Sequence, residues 1–330
     1  MRTITITAYQ RPAYFERLLS SLTENDLTGW EIWIFLEPSS SVDSFRRQCE
    51  QQLGGMTWHL IVNQKRLGVS QNPYQALSRV FSEGSEYNLY LEEDLELSPD
   101  TTALAAWYAQ HVRSDEICMN LLAGGCFSRG ILSHPDHPNQ LVSAPMFNSL
   151  GMVLTKQQWQ THFEPHWFDF PFGLSAPNGL QMFGWDCAIY AYLLANPSLN
   201  TLQPLCARSR HLGKHGGEYC DEDFQDDVFT DQPIHTEPTP TAGYARVTEL
   251  RDLPHALRTH LYLWQEQSRT LDELRRKNRT LRWLKEPLYR WWYSDLLLRW
   301  RKRRWKQRIE SAKRLNGSPD PKFGKSKPSG

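Results

Sequence analysis

The stretch LYLEEDLELSPD, Leu89 to Asp100, decides how this chain is read. An apolar, strand-like run stops at three consecutive acids, Glu92, Glu93 and Asp94. Like charges this close repel one another unless a cation or a basic partner compensates them. Because NLYL upstream reads as a buried strand, the acids fall at the rim of a cleft and not in a solvated loop.

The text around this stretch alternates strands with helices. TITITAY (3–9), EIWIFLE (31–37), WHLIVN (58–63) and YNLYLEED (87–94) read as strands. Between them, AYFERLLSSL (13–22) follows a Pro12 placed to start a helix, and SVDSFRRQCEQQL offers Ser41 or Asp43 as a cap. NPYQALSRVFSE (72–83) reads as a third helix. The order predicts an α/β fold, a Rossmann-like, doubly wound mixed sheet with flanking helices. Ligands of such folds gather beyond the C-terminal ends of the strands, where Glu92–Asp94 lie.

The 330 residues, 40% hydrophobic and 22% charged, can fill a core. The formal net charge is zero, but residues 1–268 hold 17 basic and 31 acidic side chains, whereas 269–314 hold 17 basic and 5 acidic. An acidic body with a basic tail suggests two jobs. The division expected is a catalytic domain over 1–250, a helical, basic, tryptophan-rich tail over 251–316, and a disordered end over 317–330. Six cysteines without framework spacing read as reduced thiols. MRTITITAYQ enters a strand directly, with no apolar leader run, and no stretch is apolar for the roughly 20 residues of a membrane span. A cytoplasmic protein is expected. In the tail, indoles among Arg and Lys over 281–308 suit an anionic membrane surface at its inner face, with a partner protein or a plain helical appendage as alternatives and RNA binding disfavoured.

Hard cations such as Mn2+ or Mg2+ take one or two carboxylates and complete their shell with phosphate oxygens and water. That chemistry suits a nucleotide-diphosphate leaving group. TITAYQRPAYFERLLSSL, NQKRLGVSQNPYQAL and LYLEEDLELSPD in this order resemble a GT-A nucleotide-sugar glycosyltransferase with its DxD-type acidic motif. The resemblance runs nearest to the N-acetylglucosaminyltransferase I family, whose Glu-Asp-Asp motif is matched in offset by Glu92-Glu93-Asp94. PMFNSLGMVLTKQQWQTHFEPHW, GWDCAIY and ARSRHLGKHGGEYCDEDF resemble three later segments of that family, so the likeness spans roughly residues 1–235.

The resemblance implies a metal-dependent, inverting transfer of a sugar from a UDP-sugar to a hydroxyl of a glycan or glycolipid. Asp94 would be the metal ligand, with Glu92 and Glu93 tuning the site or binding the sugar and ribose. Arg11 would lie beside the nucleotide, and Glu37 would read the uracil or ribose. Asn72 stands where the family has a histidine. Asp186 matches the first Asp of a Trp-Asp-Asp motif whose second Asp, the family's base, is Cys187 here. Asp186 is therefore the expected general base, with a catalytically silent, nucleotide-sugar-binding scaffold as the alternative. HLGKHGG (211–217) reads as a mobile loop, with Lys214 on the diphosphate and His215 on the metal. Its other histidine, His211, is a candidate for the same task.

Overall fold

A computed structural model describes residues 1–122, 135–169, 184–215, 229, 233–238 and 243–247. All lie in the first of the two units into which the chain divides, Met1–Asp272. The tail readings over 251–330, including 281–308, fall outside the described residues.

The N-terminal half follows the predicted order. Strands β1 (Arg2–Ala8), β2 (Trp30–Leu36), β3 (Thr57–Val62) and β4 (Tyr87–Glu92) alternate with helices α1 (Pro12–Thr23), α2 (Val42–Gln52) and α3 (Gly68–Ser82). Pro12 opens α1, where its missing N–H costs nothing. Helix α3 starts one turn earlier than its sequence suggests and carries Pro73 inside it. Its first amides are held by a side chain from elsewhere, described below, so it needs no cap of its own.

Past β4 come β5 (Leu95–Leu97), α4 (Thr101–Gln110), β6 (Glu116–Asn120), β7 (Gln140–Ala144) and β8 (Met152–Thr155). A single turn, α5 (Lys156–Gln158), is closed by a capping box between Thr155 and Gln158. It widens into a π turn (Trp159–Phe163) and a 3-10 turn (Glu164–His166), where Pro165 forbids further α-helix. The segment is thus three short turns that deliver Trp159, Phe163 and Trp167 to one aromatic cluster. Helix α6 (Trp185–Ala195), β9 (Asn200–Pro204), β10 (Ser209–His211) and β11 (Ala245–Arg246) complete the described elements.

Nine strands form one sheet in the order β11-β7-β9-β6-β8-β4-β1-β2-β3. Its β4-β1-β2-β3 half is parallel, while β8 runs antiparallel to β4 and β6. Chain direction reverses about β1 and β4: β1 leads outward through α1, and β3 returns through α3 to β4. That is the topological switch point, the place where open α/β sheets bind ligands. On one face Ile4, Ile6, Ile32, Ile34, Leu89 and Leu91 pack with α1. The other face of β1 is polar but equally buried: Asn88 donates to the Thr3 and Thr5 hydroxyls at 2.7 Å each.

A second, two-stranded sheet joins β5 to β10 antiparallel, with Leu95 opposite His211 and Leu97 opposite Ser209. It is anchored by a fully buried ion pair, Arg208 to Asp100, at 2.8 and 3.0 Å. Arg208 also donates to the Cys206 and Pro138 carbonyls, and Tyr244 donates to Asp100 at 2.9 Å. Removing one partner of such a pair leaves an uncompensated buried charge, which typically costs about 3–5 kcal/mol. Asp100→Ala should accordingly lower the melting temperature by on the order of 10 °C. A melt indistinguishable from wild type would show that this network does not hold β10 in place. No helix among the described residues is long and apolar enough to cross a membrane.

Candidate active site

The switch point gathers charge from three segments. Arg11 follows β1 directly, and Gln10 before it takes a left-handed φ of 60°. Glu92 ends β4, and Glu93 and Asp94 form the turn into β5. His211 ends β10, and its register opposite Leu95 sets it beside Asp94. The Leu212 amide donates to the Asp94 carbonyl at 2.7 Å, fixing the same approach.

Arg11 is the cluster's cation. Its Nε and Nη2 reach Glu93 Oε1 at 2.8 and 2.6 Å, and Nη2 reaches Asp94 Oδ2 at 2.8 Å. His211 Nε2 lies 3.1 Å from the same Asp94 oxygen. Tyr90, hydrogen-bonded to Thr7, donates to Glu92 at 3.2 Å. Glu93 and Asp94 are 5% and 3% exposed, so their charges cannot be left to water.

The three carboxyls respond differently to this setting. Burial, together with the Asp94 and Glu93 charges, pushes Glu92 up to about 8. Burial and the Asp94 charge push Glu93 up to about 7, against the pull of Arg11. Burial acts on Asp94 in the same sense, but His211 and then Arg11 outweigh it and hold Asp94 well below the usual carboxylate range. Burial also opposes the Arg11 charge, yet Asp94 and Glu93 prevail and keep it firmly protonated. The cluster therefore joins a carboxylate held ionised, Asp94, to two carboxyls whose proton affinity is raised.

The residues fit a divalent cation on two grounds. Asp94 Oδ1 is buried and has no hydrogen-bond partner, an expensive state for a carboxylate oxygen. Gly213 also leaves space that no other residue would: a Cβ there would overlap Asp94 Oδ2 and sit 2.7 Å from His211 Cε1 and Nε2. Among the described residues, no group of three or more His, Cys, Asp or Glu side chains makes a closed ligand set. Such a site suits a hard ion that takes one or two protein ligands and fills its shell with phosphate and water. Gly213→Ala should leave the circular dichroism spectrum intact while weakening Mn2+-supported UDP binding at least about tenfold, a loss of about 1.4 kcal/mol. Unchanged binding would mean that this close approach is incidental.

The other candidate residues are placed less uniformly. The histidine brought to Asp94 is His211 and not His215; His215 is exposed, and its amide donates to Tyr14 Oη at 3.0 Å. Of the segment read as a mobile loop, 211–217, the first residue, His211, is the last of strand β10. Lys214 is half-buried, its amide donating to the Leu212 carbonyl at 2.7 Å. Glu37 spends both oxygens on the Leu67 and Gly68 amides at 2.7–3.1 Å, supplying the cap that α3 lacks. Asn72, 4% exposed, accepts from Asn63 at 2.9 Å and donates to the Phe35 carbonyl at 3.4 Å. A cavity of about 350 Å³ between α3 and β2–β3 is lined by Phe35, Ile61, Asn63, Gln75 and Arg79, and thus by no candidate residue.

Asp186 sits in the first turn of α6, half-buried, whereas Cys187 turns inward and is 2% exposed. The helix is held by its neighbour Trp185, which stacks on Trp167 at 4.1 Å and meets Tyr90 edge-on at 5.9 Å. Because the Tyr90 hydroxyl is bonded to Glu92, this contact ties the start of α6 to the acidic cluster. Burial pushes Asp186 up to about 6, despite hydrogen bonds from Cys187.

No family model matches the chain, and no curated protein matches it. Solved structures do resemble it. A mannosyltransferase from Pyrobaculum calidifontis, in complex with GDP-Man and Mn2+, is 15% identical with a TM-score of 0.40, over 62% of this chain and 54% of that one. TarS from S. aureus, in complex with UDP-GlcNAc, is 15% identical with a TM-score of 0.46, over 66% and 60%. The glycosyltransferase GlyE from Streptococcus pneumoniae is 17% identical with a TM-score of 0.37, over 61% and 44%. The chain thus spans about half the length of these proteins.

Proposed function

We propose that the chain is a glycosyltransferase that moves a sugar from a UDP-sugar to a hydroxyl of a glycan or glycolipid, with inversion at the anomeric carbon. The observation that carries this reading is the unpartnered Asp94 Oδ1, buried at the switch point between Arg11 and His211. Together with the ordered sequence resemblance, it favours a donor site over a purely structural acidic turn.

Asp94 and His211 would hold the divalent cation, Mn2+ or Mg2+. When bound, that ion supplies positive charge against the departing diphosphate. Arg11 provides a planar donor fork suited to phosphate oxygens. Asp186 takes the proton from the acceptor hydroxyl, a task favoured by a base poised near the working pH. Its neighbour Trp185 meets Tyr90 edge-on, and Tyr90 is bonded to Glu92, which supports a place for the start of α6 near the cluster. Glu92, whose proton affinity burial and the neighbouring acids raise, can when protonated donate a hydrogen bond to the sugar where an ionised acid could not. Of the remaining candidates, Lys214 would neutralise phosphate, while Glu37 would act on the nucleoside through the start of α3. The basic segment 281–308 would bring the enzyme to an anionic surface that carries its acceptor.

The test is release of UDP from a panel of UDP-sugars by the full chain with Mn2+, with and without glycolipid acceptors. Turnover on at least one donor is expected. Tight UDP binding without turnover on any donor would instead establish a silent scaffold, the reading that Cys187 favours.

A further inference from the structure

Arg11 occupies the position that a metal's charge would need. Its guanidinium bridges Glu93 and Asp94 at 2.6 and 2.8 Å, leaving only Asp94 Oδ1 unsatisfied. The side chain is held firmly: Pro12 fixes the backbone after it, and the Tyr14 ring lies 5.6 Å beneath the guanidinium carbon. A divalent ion on Asp94 would face this fixed positive charge on the same carboxylate, and like charges so close strongly disfavour joint occupancy. A cation arriving alone would therefore have to break the Arg11–Asp94 pair with no phosphate present to receive the guanidinium.

A nucleoside diphosphate changes that balance. Its oxygens accept the same two-pronged donation that carboxylates do. Arg11 can exchange Glu93 and Asp94 for phosphate while the cation takes its place on Asp94. The acidic cluster is then compensated at every stage, and no buried charge is stranded.

We propose that Arg11 is an internal counter-ion that keeps the acidic cluster compensated without metal and makes cation binding conditional on the diphosphate. The inference rests on the donor-site reading above, but it concerns the order and coupling of binding rather than the reaction. By linkage, the diphosphate must gain from the cation as much as the cation gains from it.

The experiment measures Mn2+ binding to the full chain, with free Mn2+ followed by electron paramagnetic resonance and total heat by calorimetry. Mn2+ is titrated alone and with saturating UDP into wild type, Arg11→Met and Arg11→Gln. Wild type is expected to bind Mn2+ weakly alone and at least about tenfold more tightly with UDP, within the usual range of coupling between sites. Both neutral variants should bind Mn2+ alone about tenfold more tightly than wild type and gain less from UDP. Their melting temperatures without metal should be lower than that of wild type and should rise when Mn2+ alone is added.

Should Arg11→Met prove too unstable to titrate, Arg11→Gln retains a donor for Glu93 and carries the same comparison. Mn2+ affinity in either variant no higher than in wild type, with wild type still binding Mn2+ and UDP together, overturns the counter-ion role alone. Wild type that takes up no Mn2+ even with UDP overturns the donor site as well.

Discussion

Asp94→Ala is expected to lower kcat/KM for sugar transfer by about a thousandfold or more, since charge stabilisation of a leaving diphosphate is typically worth several kcal/mol. The prediction follows from the share of Asp94 in the cluster. It holds the unpartnered oxygen, it is the carboxyl kept ionised by its neighbours, and it is where Arg11 and His211 converge. The substitution should also abolish the dependence of UDP binding on Mn2+. Folding should survive, because Arg11 retains Glu93 and the Asp94 backbone still receives Leu212. A folded Asp94→Ala protein that binds UDP as tightly as wild type, with Mn2+ making no difference to either, would end the proposal of a metal-assisted transferase.

The second large effect belongs to Asp186. Loss of a general base commonly costs 10²–10⁴-fold, and Asp186→Asn is expected to lower kcat by about that factor while leaving the KM for the donor nearly unchanged. A base works in its ionised form, and burial pushes Asp186 up to about 6. The wild-type rate should therefore rise with pH through about 6 and level off above it. In Asp186→Asn the limb assigned to this group should vanish. A merely structural acid in the first turn of α6 would act through the helix dipole and stabilise by about 0.3–1 kcal/mol. That role predicts a slightly lower melting temperature with kcat within a few-fold of wild type, which would relocate the base.

Half of the fold was legible because its cues are local. The alternating and apolar runs of β1 to β4, Pro12 at the start of α1 and the acids after Leu91 each declare themselves within a dozen residues. What the alternation of β1 does not show is where its polar residues find partners. Its threonines are buried and bonded to Asn88, Ser85 and Tyr90, partners more than 80 residues distant. The remaining strands are shorter, several run antiparallel, and their pairing depends on distant segments that no periodicity reveals.

The site divides in the same way. The acidic triplet was legible from its position at a strand end, whereas Arg11 entered only through the family resemblance. His211 lies 117 residues from Asp94, in a three-residue strand too brief to show a period and beside glycines that suggested a loop. Gly213 could not be singled out, since its importance lies in what a side chain would strike. Nothing in ARSRH distinguishes buried Arg208 from Arg210, which pairs with Glu96 at the surface of the small sheet. The capping role of Glu37 had no local signal: the sequence suggests that α3 starts at Asn72, and only the structure shows it beginning at Gly68 with no side-chain cap of its own.

The pairing of β10 with β5 carries an implication for how such a chain can vary. Side chains of a strand point alternately to opposite faces, so a shift of one position inverts them all. Inserting or deleting a single residue between Arg208 and His211 would turn the imidazole away and present Arg210 or Leu212 to Asp94 instead. Spacing in those few residues is therefore under as strict a constraint as their chemistry. Length changes that surface loops absorb freely would here disable the protein, even with every reactive group still present.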